Sequence, residues 1–156
     1  MTAINGNAGA EVGAGSEAVF AKITGLGELP SWNAVMTRVC EQPVRLEPGA
    51  QWVVEFHVLG RTWRSRSRCE AIDCDGCRFI YRTQTDDGNP SYATWEWTVT
   101  PIGARSRVEV SWELHPVTFW RRVLLAKVRN RQLARQEVPA SLAALDRVLS
   151  GAESPA

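Results

Sequence analysis

The sequence predicts a single α+β domain: a curved seven-stranded antiparallel sheet wrapped around a long C-terminal helix, with two short helices after the first strand. Three observations predict it. Between Val35 and His115 apolar and polar side chains alternate in runs separated by turn signals, the period of half-buried strands. Helical spacing takes over after Pro116 and holds to Leu149. Seven Trp against four Phe and two Tyr supply broad apolar surfaces, each indole with one polar edge.

Taken in chain order, residues 1–11 are rich in Gly, Ala and Asn and are expected to be a partly disordered segment, with a weak first strand near Ile4 to Val12. Residues 12–150 form the domain, and 151–156 a flexible tail. Ser16 is the N-cap candidate of a short helix whose Val19, Phe20 and Ile23 recur at helical spacing. Gly25 and Gly27 end it. A second short helix or turn follows from Leu26 to Trp32, broken by Pro30.

Val35 to Leu46 is extended, and Pro43 argues for a sheet edge or a bulge. After the Pro48-Gly49 turn, Trp52, Val54, Phe56 and Val58 alternate with Val53, Glu55, His57 and Leu59. The chain turns at Leu59-Gly60. Trp63, Ser65, Ser67, Cys69 and Ala71 then alternate with Arg64, Arg66, Arg68 and Glu70. At the next hairpin a two-residue Asp75-Gly76 loop would put Phe79 and Tyr81 on the arginine face. A three-residue loop, Cys74 to Gly76 with Gly76 left-handed, puts them with Trp63, and this register is preferred. Tyr92 to Pro101 carries Trp95, Trp97 and Val99 on one face. The last strand sends Val108, Val110, Trp112 and Leu114 inward. Phe119 to Leu149 reads as one helix, with Phe119, Trp120, Val123, Leu124 and Val128 as one apolar stripe and Val138, Leu142, Leu145 and Leu149 as another. Pro139 is expected to kink or split it.

A strongly curved sheet does not close tightly on one helix everywhere, so a cavity is expected on its concave side. Trp52, Phe56, Trp63, Phe79, Tyr81, Trp95, Trp97 and Trp112 would line it, with Val123 and Val128 closing it. An apolar hollow with a few polar groups is the usual form of a small-molecule site, and ordinary core packing is the competing reading. Ser65, Ser67, Tyr81 and Thr83 are the polar groups on the same face. Their hydroxyls can orient a carbonyl or phenol, or satisfy one another or a buried water. Tyr81, Ser65 and Ser67 are the candidates for proton transfer. Arg61, beside the Leu59-Gly60 turn, can hold a ligand carboxylate at the mouth or lie in solvent.

The chain of 156 residues has a formal charge of +1, so no strong global field points to nucleic acid. Arg121, Arg122, Lys127, Arg129, Arg131 and Arg135 nevertheless gather on the long helix without an acidic neighbour from Leu114 to Gln136. That face suits an acidic carrier protein or an anionic membrane surface, or is simply solvated. Arg64, Arg66, Arg68, Arg78 and Arg82 form a second group on the outer sheet, where Glu55 and Glu70 can pair with them. No stretch reaches the roughly 18 apolar residues of a membrane span, and Met1 to Gly15 lacks the pattern of a secretory signal. A cytoplasmic location with reduced thiols is therefore expected. Cys69, Cys74 and Cys77 invite a zinc reading that needs a fourth ligand such as Cys40, and no metal or cofactor is expected. His57 and His115 face outward and belong to no nucleophile-base pattern. Asp86 to Pro90 reads as a polar turn.

Glu17-Ala-Val-Phe-Ala-Lys-Ile, followed by Leu29-Pro-Ser-Trp32-Asn33, resembles the helix-pair signature of the polyketide cyclase/dehydrase and lipid-transport branch of the START-like (SRPBCC) superfamily. Pro48-Gly49-Ala50, Tyr92-Ala-Thr-Trp-Glu-Trp and Leu142-Ala-Ala-Leu145 continue the resemblance, which covers roughly Val12 to Leu149. It implies the helix-grip fold and an apolar cavity. It leaves the activity open, because the superfamily includes cyclases, lipid carriers and quinone-binding proteins. The expected function is to hold a hydrophobic small molecule (a lipid, polyketide or quinone) as a carrier. The alternatives are an aromatase/cyclase-like enzyme and a protein that docks an acidic partner.

Overall fold

A computed structural model describes residues 4–58, 60–85, 91–116 and 127–153, the last three without their side chains. The strands are β1 (Ile4–Val12), β2 (Met36–Glu41), β3 (Gln51–Val58), β4 (Arg61–Asp73), β5 (Arg78–Thr85), β6 (Tyr92–Ile102) and β7 (Arg105–His115). They form one antiparallel sheet in the order β1-β7-β6-β5-β4-β3-β2. Six strands form a meander. The first closes the far edge by pairing with the last, so the chain ends its sheet beside where it began.

Gly/Ala/Asn content does not prevent residues 4–11 from joining β1, which pairs with β7 along its whole length. One glycine there has a packing reason. Gly6 is the register partner of Trp112, and a Cβ on Gly6 would enter the indole. The large ring covers the strand where a side chain would stand.

The first helix, α1 (Ser16–Thr24), buries Val19, Phe20 and Ile23. Gly15, not Ser16, is its N-cap; Ser16 instead lies 3.3 Å from the Ser106 hydroxyl, which donates to the Ala14 carbonyl. A 3₁₀ helix over Leu26–Ser31 contains Pro30 and buries Leu26 and Leu29. β2 is an edge strand with two register irregularities against β3, as Pro43 suggested.

The β4–β5 hairpin departs from expectation in its loop and not in its faces. Asp73 pairs with Arg78, so the loop has four residues, and the left-handed one is Cys77 (φ 50°), not Gly76. A bulge at Glu70 absorbs the extra residue, and Cys69 pairs with Tyr81 as the shorter loop required. Phe79 and Tyr81 therefore share the inner face with Trp63.

On the outer face the arginines meet acids across strands. Arg66 reaches Glu41 at 2.9 Å, Arg78 reaches Glu96 at 3.0 Å, Arg38 and Arg64 converge on Glu55, and Arg82 approaches Glu70. Such exposed pairs contribute only about 0.2–1 kcal/mol each, but they remove the appearance of a basic patch.

The C-terminal helix is described from residue 127. It is helical over 127–132, passes through a π-helical turn over Leu133–Glu137, and continues as α2 (Val138–Glu153). α2 reaches past the expected domain end into the segment expected to be a flexible tail, of which 154–156 lie outside the described residues. The Val138 N–H donates to the Leu133 carbonyl, five residues back. The wide turn lies just before Pro139, whose ring would press on the Arg135 carbonyl in a regular helix. Leu133 and Val138 are both buried, as are Leu142 and Leu145 below them. A five-residue step, where α-helix would need four, keeps this stripe facing the sheet. Phe119, Trp120, Arg121, Arg122, Val123 and Leu124 lie outside the described residues. No helix among the described residues is long and apolar enough to cross a membrane.

Candidate ligand cavity

Between the concave face of the sheet, the 3₁₀ helix and the C-terminal helix lies a cavity of about 770 Å³. Of the sheet residues expected to line it, Trp52, Phe56, Trp63, Phe79, Tyr81, Trp95 and Trp97 do so. Trp112 does not line it. It is fully buried behind Trp95, ring centroids 5.4 Å apart, and its indole N–H donates to Asn130 Oδ1 at 2.7 Å. Val128 stands at the opening, 65% exposed. Val123 lies outside the described residues.

The aromatic wall is continuous because the residues are register neighbours. Tyr81 pairs with Trp95 and Phe79 with Trp97 across β5 and β6. Trp52 reaches over to both Phe79 and Tyr81, at 5.9 and 5.4 Å between centroids. Phe56 stacks on Trp63 at 5.5 Å and 9°. Rigid rings that stack sideways on one another tile a wall and do not fill the space in front of it.

Several polar groups interrupt this wall. The Trp97 N–H donates to the Tyr81 hydroxyl at 3.1 Å. Burial pushes the Tyr81 phenol up to about 12, so it is a neutral hydrogen-bond donor at ordinary pH. Among the described residues its own proton has no acceptor. Ser65 donates to the Gln84 carbonyl at 3.2 Å, while Ser67 and Thr83 are cross-strand partners that also line the space. Arg61 lines the cavity too.

The helix contributes a pair of charges that sequence periodicity does not reveal. Arg129 and Glu137 both line the cavity, and the guanidinium donates to Glu137 Oε2. Glu137 is 7% exposed. Burial pulls the Arg129 guanidinium down to about 10, still well above neutrality. Arg129 therefore leaves the solvated basic face on which its spacing placed it. Lys127, Arg131 and Arg135 stay exposed there, and Arg121 and Arg122 lie outside the described residues. The π turn explains the inward position. Eight residues of regular helix would set Arg129 and Glu137 about 80° apart. One extra residue taken into the wide turn makes that span close to two whole turns, so both face inward. Among the described residues Glu137 Oε1 and the Trp32 indole N–H have no hydrogen-bond partner. Trp32, also missed as a lining residue, meets Trp97 edge-on at 5.7 Å.

The other chemistry-bearing residues stay apart. Cys69 and Cys77 are buried, and burial is the main cause raising both thiols above their usual range, which makes them poor nucleophiles and poor ligands. Among the described residues no three His, Cys, Asp or Glu gather as a metal site. His57 is exposed and bonded to Thr62 at 3.0 Å. His115 lies at the cavity rim, stacked on Tyr92 at 4.5 Å between centroids. The Asp86–Pro90 segment lies outside the described residues.

A curved seven-stranded sheet closed by one long helix over an aromatic hollow defines a helix-grip protein of the START-like class. Solved structures share the fold. TTHA0849 from Thermus thermophilus matches with a TM-score of 0.75 at 18% identity, covering 97% of this chain and 100% of that one. The Zhui aromatase/cyclase from Streptomyces sp. R1128 matches at 0.72 and 16%, covering 99% and 100%. A START superfamily protein from Mycobacterium smegmatis matches at 0.71 and 14%, covering 95% and 98%. No curated protein matches the sequence. The family model for polyketide cyclase/dehydrase and lipid transport matches residues 7–150, and the chain belongs to that family.

Proposed function

We propose that the protein binds a hydrophobic small molecule in this cavity and acts as a carrier or binding protein. The observation that carries the reading is the aromatic hollow of about 770 Å³ with the Tyr81 hydroxyl in its wall. Trp97 occupies that oxygen as an acceptor, so the phenol proton is left to donate to a ligand oxygen. A polyketide or quinone, with flat rings and carbonyls, fits this better than a simple alkyl chain, because the wall is made of rings and carries a donor. Native mass spectrometry of the purified protein tests the proposal, together with titration of its Trp emission by a naphthoquinone. A co-purifying or saturably bound ring compound is expected. No bound mass and no change in emission would reject it.

A second reading, an aromatase/cyclase-like enzyme, is favoured by the same Tyr81 proton, which can polarise a ligand carbonyl toward ring closure. Here Tyr81→Phe lowers turnover of a polyketide mimic by more than it lowers binding. Equal loss of both favours the carrier.

A further inference from the structure

We propose that the ligand of this cavity is an organic anion: an apolar, ring-bearing body with one carboxylate, held at the open end by Arg61 and Arg129. The proposal rests on the reading that the cavity binds a hydrophobic small molecule, and it adds the charge.

Two arginines from different elements line the cavity, and one of them sits over the Trp63 indole. Arg61 begins β4 and shares the inner face with Trp63, two residues or about 7 Å further along the strand. Arg129 comes from the C-terminal helix, its Cζ 5.8 Å from the centre of the Trp63 ring. Both line the cavity, and Arg129 follows exposed Val128 in the chain.

The charges of the described lining do not balance. Among the described residues, the charged side chains that line the cavity are Arg61, Arg129 and Glu137, two cations against one anion. Glu137 answers Arg129, and Arg61 makes no hydrogen bond or ion pair with any described residue. An unbalanced cation beside an apolar wall draws an anion more strongly than it would in open water. Arginine also suits a carboxylate, because its planar fork can meet both oxygens at once. Arg129 directs a nitrogen at Glu137 and keeps further N–H groups of its five for a second partner. Glu137 is thus a positioning residue that holds the guanidinium inward.

Calorimetric titration of the full chain in low-salt buffer tests this with naphthoate and with naphthamide, its uncharged isostere. Wild type is expected to bind naphthoate at least about tenfold more tightly, equivalent to about 1.4 kcal/mol. The ratio of the two affinities should fall to within about threefold in Arg61→Gln. The double variant R129Q/E137Q, which removes a guanidinium without leaving a bare buried carboxylate, should lower it likewise. If naphthamide binds and naphthoate gains nothing, the anion proposal is overturned and the apolar-cavity reading stands. If the preference survives in both variants, the carboxylate is held elsewhere and the proposal is overturned. If neither compound binds, the proposal and the cavity reading fall together.

Discussion

The Trp97 indole donates its hydrogen to the oxygen of Tyr81 across 3.1 Å, and this direction leaves the phenol proton to point elsewhere. Replacing Tyr81 by Phe tests both halves of that relationship. The Trp97 N–H, in a side chain 4% exposed, loses its acceptor, so stability should fall by about 1–3 kcal/mol in urea unfolding. Affinity for a ring ligand bearing a carbonyl should fall about tenfold, while affinity for the matching hydrocarbon should hold. A parallel loss for both ligands would mean that the hydroxyl meets no ligand.

Arg129 and Glu137 predict an asymmetry between single and double variants. Arg129→Met strands the Glu137 carboxylate in a nearly closed site and should cost about 3–5 kcal/mol. Replacing both residues by Met should recover most of that loss. Denaturant unfolding of the two singles and the double closes the cycle. Additive losses would show that the two groups do not interact.

Gly6 and Gly9 lie on the same strand and should respond differently to Ala. At Gly6 the new methyl enters the Trp112 ring, which is fully buried and bonded to Asn130, so a loss of about 1–3 kcal/mol is expected. At Gly9 the nearest atom is the tip of the Arg107 side chain, which can swing aside, and the Val108 carbonyl oxygen at 3.1 Å needs only a small shift, so the loss should be smaller, about 0.5–1 kcal/mol. Thermal unfolding of the two variants ranks them.

Asp146 ties α2 to the loop after β1 by accepting from the Gly13 N–H at 2.9 Å and from Ser150 at 3.0 Å. The Gly13 hydrogen bond is the main cause holding its carboxyl below the usual 3.8. A carboxyl whose folded value is depressed contributes its stability in full above the unfolded value and loses it as pH falls through the folded one. Asp146→Asn should therefore flatten the stability curve below about pH 4, leaving its shape at neutral pH unchanged. An unaltered acid limb in guanidinium unfolding would count against this.

The sheet was legible because its side chains change face at every residue, and one polar face against one apolar face fixes the register. The β4–β5 hairpin shows where this stops. A three-residue loop and a four-residue loop with a bulge at Glu70 place Phe79 and Tyr81 on the same face, so alternation cannot distinguish them. The strength of β1 was hidden for another reason. Its glycines look like weak strand formers until Trp112 is seen to occupy the place of a side chain at Gly6.

The cavity wall was largely legible, and its charges were not. A uniform helical period puts Arg129 with Arg131 and Arg135 on a basic surface. The one trace of the true arrangement is the five-residue step from Leu133 to Val138, which an unbroken α-helix would not keep on one side. Trp32 leaves no such trace, since a lone indole after a short 3₁₀ helix carries no periodicity of its own.

That single surplus residue reaches further than the local backbone. Shortening the chain by one position between Leu133 and Glu137 would let the helix run regularly and rotate everything on its N-terminal side by about a quarter of a turn. The hollow would keep much the same outline, but Arg129 would swing toward water, leaving only Arg61 and Glu137, whose opposite charges offset each other. Among chains of this shape, the length of one helical turn would then separate those that favour neutral guests from those that favour acids.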